Sequence, residues 1–212
     1  MQPENDWTRE ELEKDYIGKM SAITVSTEIV IKGKQRILDQ SEMEKLLRNA
    51  RRISVKECGC RNKLGNCDNP KSGCLNLDDE ADSAIEKGAR EISVEEALQV
   101  LEETYNAGLV HMAYVFTGKD KPTYICSCCS CCCHSLGAAM RYGYSDHVFY
   151  SDKISVHDFE LCENCGECVD RCHFGARSLE DDKLIFKSEK CGGCGLCLRE
   201  CNYDAISMKE RL

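Results

Sequence analysis

The sequence predicts an α+β fold in two parts, and two features of the chain predict it. Upstream of residue 150, amphipathic helical segments alternate with short runs rich in β-branched residues. Downstream, a run of four cysteines occurs twice with identical spacing, and a short hairpin fits between the two runs. We therefore expect a cysteine-rich mixed α/β domain over residues 1–150 and a small second domain over residues 151–212.

The small domain carries a doubled C-x2-C-x2-C-x3-C run. Its eight cysteines are Cys162, Cys165, Cys168, Cys172, Cys191, Cys194, Cys197 and Cys201. Cubane iron–sulfur clusters need ligands placed in this way. Structural zinc sites use C-x2-C pairs separated by longer gaps. Disulfides need an oxidising compartment, and the polar, acidic opening of the chain does not look like a signal peptide. The run therefore predicts two [4Fe–4S] clusters.

Residues 153–210 resemble the bacterial two-cluster ferredoxins in this cysteine pattern. The resemblance implies a small ferredoxin-like dicluster domain with crossed ligation. One cluster would be held by Cys162, Cys165, Cys168 and Cys201, and the other by Cys191, Cys194, Cys197 and Cys172. Proline usually follows the fourth cysteine in that family, whereas His173 and Asn202 stand there in this chain. Without proline the backbone angle φ is not fixed at these positions, but no cluster ligand is lost.

Composition limits the classes of function. The chain has 212 residues, 18 cysteines and a formal net charge of -9. It contains no apolar run long enough to span a membrane. Retained thiols without an export signal indicate a reducing cytoplasm, most naturally that of an anaerobe. Clusters with four thiolates each add further negative charge, so we expect redox partner proteins with basic patches and no nucleic acid.

The order of secondary-structure elements in the upstream domain can be predicted from the sequence. We expect strands over 22–31, 53–57, 109–116, 123–126 and 148–150, and helices near the N-terminus and over 41–50, 78–88, 93–107 and 132–141. Ser93 and Glu96 form a capping box at the start of one helix. Residues 78–126 follow the order helix, turn, helix, hairpin, which is that of a winged-helix unit.

Ten further cysteines lie in this domain. They form an earlier group of Cys58, Cys60, Cys67 and Cys74 and a later group of Cys126, Cys128, Cys129, Cys131, Cys132 and Cys133. We expect the earlier group to lie in a loop, and a subset of the ten to bind metal. Three interpretations stand: a third iron–sulfur centre built between the groups, a structural zinc site led by the earlier four, or ordinary buried thiols or a redox-active dithiol. These blocks resemble poorly characterised ferredoxin-like iron–sulfur proteins of anaerobes, and that resemblance implies cluster binding and electron transfer.

Three histidines and one basic stretch have alternative interpretations. His134 is either a ligand or a surface residue, His173 either donates to a cluster sulfur or is solvated, and His111 fills a half-buried strand position. Residues 32–63 hold ten Lys/Arg against four Asp/Glu. They form either a docking face or a solvated surface.

The favoured function is low-potential electron transfer, as a free carrier or as a subunit of an anaerobic oxidoreductase. One alternative is an enzyme whose active site is an upstream cluster, although the chain has no dinucleotide fingerprint and no phosphate loop. Another is a redox-sensing winged-helix regulator. Eleven acidic against four basic residues over 78–125 argue against that regulator, because binding to DNA needs a basic surface.

Overall fold

The computed structural model describes residues 4–17, 19–25, 40–116, 119, 121–143 and 148–211. Within these residues the chain forms eight α-helices and eleven β-strands. The helices are α1 Arg9–Asp15, α2 Gln40–Asn49, α3 Gly59–Leu64, α4 Asp79–Glu86, α5 Val94–Asn106, α6 His134–Tyr142, α7 Glu167–Asp170 and α8 Leu196–Arg199. The strands are β1 Met20–Val25, β2 Ile53–Glu57, β3 Ser72–Leu77, β4 Arg90–Glu91, β5 Val110–Phe116, β6 Tyr124–Cys128, β7 Val148–Phe149, β8 Lys153–His157, β9 Arg177–Glu180, β10 Lys183–Phe186 and β11 Ile206–Glu210.

A seven-stranded sheet organises the upstream domain, in the order β4-β2-β3-β6-β5-β1-β7. The described pairings are antiparallel except that of β1 with β7. The inner strands β3, β5 and β6 are mostly buried, as their apolar residues require. Helix α5 packs on this sheet through Ala97 and Leu101, and its predicted capping box of Ser93 and Glu96 is confirmed.

The predicted helices and strands upstream of residue 150 are largely confirmed, but the surroundings of the hairpin differ from the prediction. The hairpin of β5 and β6 follows helices α4 and α5, as in a winged-helix unit. However, β6 also pairs with β3 and β5 with β1, so both strands of the hairpin lie inside the sheet and do not form a projecting wing. The predicted strand over 22–31 is seen as β1, and residues 26–31 lie outside the described part.

The expectation of a loop over residues 58–74 was wrong. Cys60 lies in helix α3 and Cys74 in strand β3. Helix α3 ends at a left-handed Gly65, and β3 pairs with β2 on one side and β6 on the other. Gly and Asn-Pro therefore mark only the short connection between helix and strand, where the chain turns back to the sheet.

The small domain contains two two-stranded sheets, β8 with β11 and β9 with β10. It packs against the upstream domain through one hydrophobic cluster, to which Phe174 and Leu196 contribute from one side and Tyr114 and Leu136 from the other. The boundary near residue 150 stays a prediction. It falls between β7, the last strand of the main sheet along the chain, and β8, the first strand of the small sheets.

Two surface expectations can be compared with the structure. Arg51 and Arg52, within the basic stretch, pair with the neighbouring acidic side chains of Asp82 and Glu91. This favours a solvated, internally neutralised surface over a docking face, and residues 32–39 of the stretch lie outside the described part. Among the described residues, no helix is both long and apolar enough to cross a membrane.

Candidate metal centres

The first set of ferredoxin-type cysteines lines a single cavity. Its walls include all four predicted ligands, Cys162, Cys165, Cys168 and Cys201. Leu184 and Ile206 are buried beside Cys168, and Cys162 and Cys201 pack against them. Cys201 thus comes from the second repeat to meet three cysteines of the first, which is the arrangement that crossed ligation requires.

Backbone conformation explains why the two repeats form loops of the same kind. Asn164 and Gly193 occupy equivalent positions and have φ of 56° and 73°, while Gly166 and Gly195 have φ of 83° and 78°. A left-handed residue two positions after the first cysteine folds the chain back, and a glycine four positions after it starts the short helix. Three thiols are thereby gathered on one side of each loop.

The second set of predicted ligands, Cys191, Cys194, Cys197 and Cys172, is buried more deeply than the first. Cys191 and Cys194 are buried, whereas Cys165 of the first set is exposed. Burial raises the pKa of Cys197 to about 11, and Cys172 and Cys191 act in the same direction. Burial likewise raises the pKa of Cys194, to which Cys197, Cys172 and Cys191 also contribute. Thiolates gathered here are stable only with positive charge nearby, and ferric and ferrous iron would supply it.

Arg177 is a buried cation between the two sets. Its side chain is only 4% exposed. It donates to Ser155 Oγ at 3.0 Å and to His157 Nδ1 at 2.8 Å. Ser155 Oγ in turn lies 3.5 Å from Cys191 Sγ, and His157 lines the cavity of the first set. One guanidinium therefore acts on both sets of thiols.

Four upstream cysteines form a compact group that sequence reasoning did not isolate. Sγ atoms of Cys67, Cys129, Cys131 and Cys132 all lie within 4.8 Å of one another. Cys67 Sγ is 3.8 Å from Cys129 Sγ and 3.9 Å from Cys132 Sγ. Four thiolates at about 2.3 Å from one zinc ion have sulfur–sulfur separations of about 3.8 Å. The compact thiol group thus has the dimensions of a mononuclear tetrahedral site.

The N-terminal segment holds this compact group in place. Trp7 Nε1 donates to the Cys132 carbonyl at 2.9 Å, and Asn66 Nδ2 donates to the Cys131 carbonyl at 2.9 Å. Arg141 Nε binds Asp6 at 2.6 Å, and its guanidinium also donates to the Ser130 carbonyl. These contacts fix the backbone of the turn that carries three of the four thiols.

The other six upstream cysteines form a separate assembly. Cys58 lies beside Cys60 and Cys74, Cys60 beside Cys133, Cys133 beside Cys128, and Cys74 beside Cys126. Cys126 and Cys128 lie on one face of β6 and are close enough to interact, so the six side chains form a closed ring of neighbours. We refer to these six residues as the six-thiol ring. The zinc interpretation based on Cys58, Cys60, Cys67 and Cys74 does not fit, because Cys67 belongs to the compact group.

Polar side chains surround the six-thiol ring. Tyr114 Oη lies 3.5 Å from the Sγ atoms of both Cys128 and Cys133. His134 Nδ1 lies 3.2 Å from Cys60 Sγ, and its ring stacks on Tyr16 with centroids 3.6 Å apart. His134 is therefore not the surface residue that one interpretation supposed.

Arg61 lies between the ring and the compact group and is 1% exposed. Burial alone would lower the pKa of Arg61, but the thiolates of Cys58 and Cys129 outweigh it and raise that pKa above its ordinary value. Its Nη1 donates to the Ser127 carbonyl at 2.8 Å. Within the described residues, the other two guanidinium nitrogens, Nε and Nη2, have no hydrogen-bond partner.

His173 joins the two domains and does not contact a cluster sulfur in the described hydrogen bonds. Its Nε2 donates to the Gly108 carbonyl at 2.7 Å, so Nδ1 is the acceptor and lies 3.1 Å from Ser130 Oγ. Ser130 stands between two cysteines of the compact group. The residue in the usual proline position thus forms a contact between domains, which neither sequence interpretation anticipated.

Comparison with known families agrees with this geometry. Residues 161–206 match the family model described as 4Fe-4S dicluster domain. The C-terminal module is a ferredoxin-like 4Fe-4S dicluster domain. Such a domain implies iron–sulfur electron transfer. No curated protein matches the chain.

Proposed function

We propose that this protein transfers single electrons through two [4Fe–4S] clusters, with ligation crossed between the two repeats. The observation that carries the proposal is the cavity lined by Cys162, Cys165 and Cys168 together with the distant Cys201. All eight side chains are thiols, and a cube with four thiolate ligands has no open position for a substrate. The chemistry of such a cube, when bound, is outer-sphere electron transfer.

The protein's own groups would adjust the clusters by charge and hydrogen bonding. The backbone N–H of Asn164 donates to Cys162 Sγ at 3.4 Å, and that of Ala176 donates to Cys172 Sγ at 3.3 Å. Donors aimed at sulfur stabilise the more negative, reduced state. Water is kept from the second set by Phe174 and Leu196, which are both buried. We expect the two clusters to differ in potential, since the first set is the more exposed to solvent.

The exposed first set is the proposed side of approach for a redox partner protein. Cys165 is exposed, and so are the large apolar side chains of Phe159 and Leu161 nearby in the chain. Exposed Glu160 and Glu163 add negative charge to this end. A partner with a basic patch around its own redox group fits this combination of charge and apolar surface.

For the compact thiol group we propose a single structural zinc ion. The support is the sulfur–sulfur separations of 3.8 and 3.9 Å, which suit a tetrahedral mononuclear site. Three of the ligands lie in one tight turn and the fourth, Cys67, follows helix α3. The ion would join these two segments, which the sheet alone does not hold together.

Paired substitutions test crossed ligation. In Cys165→Ala/Cys201→Ala, both changes fall on one cluster, so anaerobically purified protein should lose about four irons and four sulfides relative to wild type. In the matched variant Cys165→Ala/Cys172→Ala, the changes fall on different clusters, so the loss should be about eight of each. Iron and acid-labile sulfide analysis measures both losses. The reverse result would establish sequential ligation, and no loss in either variant would refute the cluster assignment itself.

A further inference from the structure

The six-thiol ring has no role in the two-cluster domain or in the compact thiol group. Its members come from α3 and the residue before it, from β3 and β6, and from the residue preceding α6. Four of the six, Cys58, Cys74, Cys128 and Cys133, are buried. Cys74 and Cys126 are direct cross-strand partners on two inner strands of the sheet. The fold therefore brings six thiols from distant parts of the chain to one interior place.

A buried cation indicates that this place carries negative charge. Arg61 is 1% exposed, and its Nε and Nη2 have no hydrogen-bond partner among the described residues. A guanidinium so far from water needs an anion close by. The groups around it are Cys58, Cys128 and Cys129, two from the ring and one from the compact group. Metal-bound thiolates would provide the anion, because a thiol that binds metal gives up its proton.

The ring also borders the second ferredoxin set. Cys128 and Cys133 belong to the same hydrophobic cluster as Cys194, and Cys126 and Cys172 pack against that cluster. Phe174 and Leu196 fill the same cluster from the ferredoxin side. The ring thus shares a packed cluster with the more deeply buried of the two ferredoxin sets.

We propose that the six-thiol ring binds a third iron–sulfur cluster, next to the second ferredoxin cluster. Soft thiolate ligands select iron–sulfur clusters, zinc or cuprous ions. Six neighbouring thiols exceed the four that a mononuclear tetrahedral ion can use, which favours a polynuclear centre. The inference rests on the proposed electron-transfer function, because the adjoining dicluster domain makes iron–sulfur the appropriate class of ligand. It assigns the third iron–sulfur centre to the ring and the mononuclear metal to the compact group.

Full-length protein purified without oxygen tests the inference through two matched variants. Cys74→Ser/Cys126→Ser removes two ring thiols, and Cys129→Ser/Cys131→Ser removes two thiols of the compact group. Wild type should contain about twelve irons if the ring cluster is a cube, and about one zinc. The ring variant should lose about four irons and keep the zinc, whereas the compact-group variant should lose the zinc and keep the iron. Far-UV circular dichroism shows whether each variant is folded.

Electron paramagnetic resonance tests whether the ring cluster lies close to the second ferredoxin cluster, which metal analysis cannot show. In dithionite-reduced wild type, a paramagnetic ring cluster should broaden the electron paramagnetic resonance signal of the second ferredoxin cluster. The broadening should disappear in the folded ring variant and persist in the compact-group variant.

Three outcomes would overturn the inference. One is wild-type iron and sulfide of about eight, unchanged by the ring substitutions. Another is a Cys74–Cys126 disulfide found by mass spectrometry, and the third is iron that follows the compact-group variant. The proposed function is tested separately: if Cys165→Ala/Cys172→Ala still removes about eight irons, two-cluster binding stands even where the ring proposal fails.

Discussion

At the scale of single residues, the two cysteine repeats differ in one buried charge. Arg177 stands five residues after Cys172, and Ile206 stands five residues after Cys201. Both side chains are buried, at 4% and 7% exposure. The first repeat thus places a guanidinium where the second places an aliphatic side chain. A fixed positive charge there would favour the reduced state of both proposed clusters, because reduction adds negative charge.

Replacing Arg177 by the residue of the other repeat tests this effect. Arg177→Ile should lower the reduction potentials of the ferredoxin clusters by an amount on the order of 100 mV, the equivalent of unit charges roughly 6 Å apart in a medium of effective dielectric constant about 20. Anaerobic redox titration followed by electron paramagnetic resonance measures the change. Arg177→Lys keeps the charge and should restore most of the potential. Equal potentials in the wild type and the isoleucine variant would show that the charge is fully screened.

At the scale of elements, helix α5 and strand β5 meet through a buried polar contact. His111 on β5 is 2% exposed, and its Nε2 lies 3.2 Å from Thr104 Oγ1 on α5. Thr104 Oγ1 donates to the Val100 carbonyl at 2.8 Å, so His111 Nε2 carries the hydrogen. Burial lowers the pKa of His111 to about 4. The imidazole therefore stays neutral in the folded protein near pH 7.

Because His111 is buried and neutral, we expect the free energy of unfolding to fall as the pH falls. Its pKa is lower in the folded state than in the unfolded state, so the unfolded chain binds the proton first and stability declines below about pH 6.5. Between pH 7.5 and 5.5, the free energy of unfolding should fall by about 1.3 kcal/mol through this group. Anaerobic urea titrations of wild type and His111→Gln measure it, since the variant should lack this part of the pH dependence. An identical pH dependence in both proteins would contradict the assignment.

At the scale of the whole molecule, His173 connects the dicluster domain to the upstream domain. It bonds to Gly108 and Ser130, whereas the equivalent Asn202 is exposed and contacts only Glu167 in the described hydrogen bonds. The two residues that replace the usual proline therefore have different roles. The first joins the second ferredoxin set to the turn of the compact thiol group.

Matched alanine substitutions separate these roles. His173→Ala should weaken the contact between domains by about 1–2 kcal/mol, since it removes two partly buried hydrogen bonds. Amide hydrogen exchange in residues 107–109 and 129–133 should accelerate accordingly in the loaded protein. Asn202→Ala should leave exchange in these segments unchanged. Equal exchange in both variants would mean that apolar packing alone holds the two domains together.

The presence of a dicluster domain could be predicted because its cysteine spacing is local in sequence. Cys162, Cys165 and Cys168 lie within seven residues, so their spacing alone brings three thiols together. Helix α5 was likewise predictable, because Ser93 and Glu96 form a capping box within one turn. Strand β3 was missed, since Ser72–Leu77 has no β-branched residue and is stabilised mainly by its two neighbouring strands.

The sequence by itself determined that cysteine is unusually abundant in this protein and that eight of the cysteines have the spacing of cubane ligands. Only the tertiary structure decided how the other ten divide, because Cys67 meets Cys129 across 62 positions and Cys74 meets Cys126 through the order of strands in the sheet. Spacing along the chain specifies neighbours within a turn or a hairpin. Partners from distant segments are set by which strands pair and which helix covers them, and that is decided by burial of the whole core.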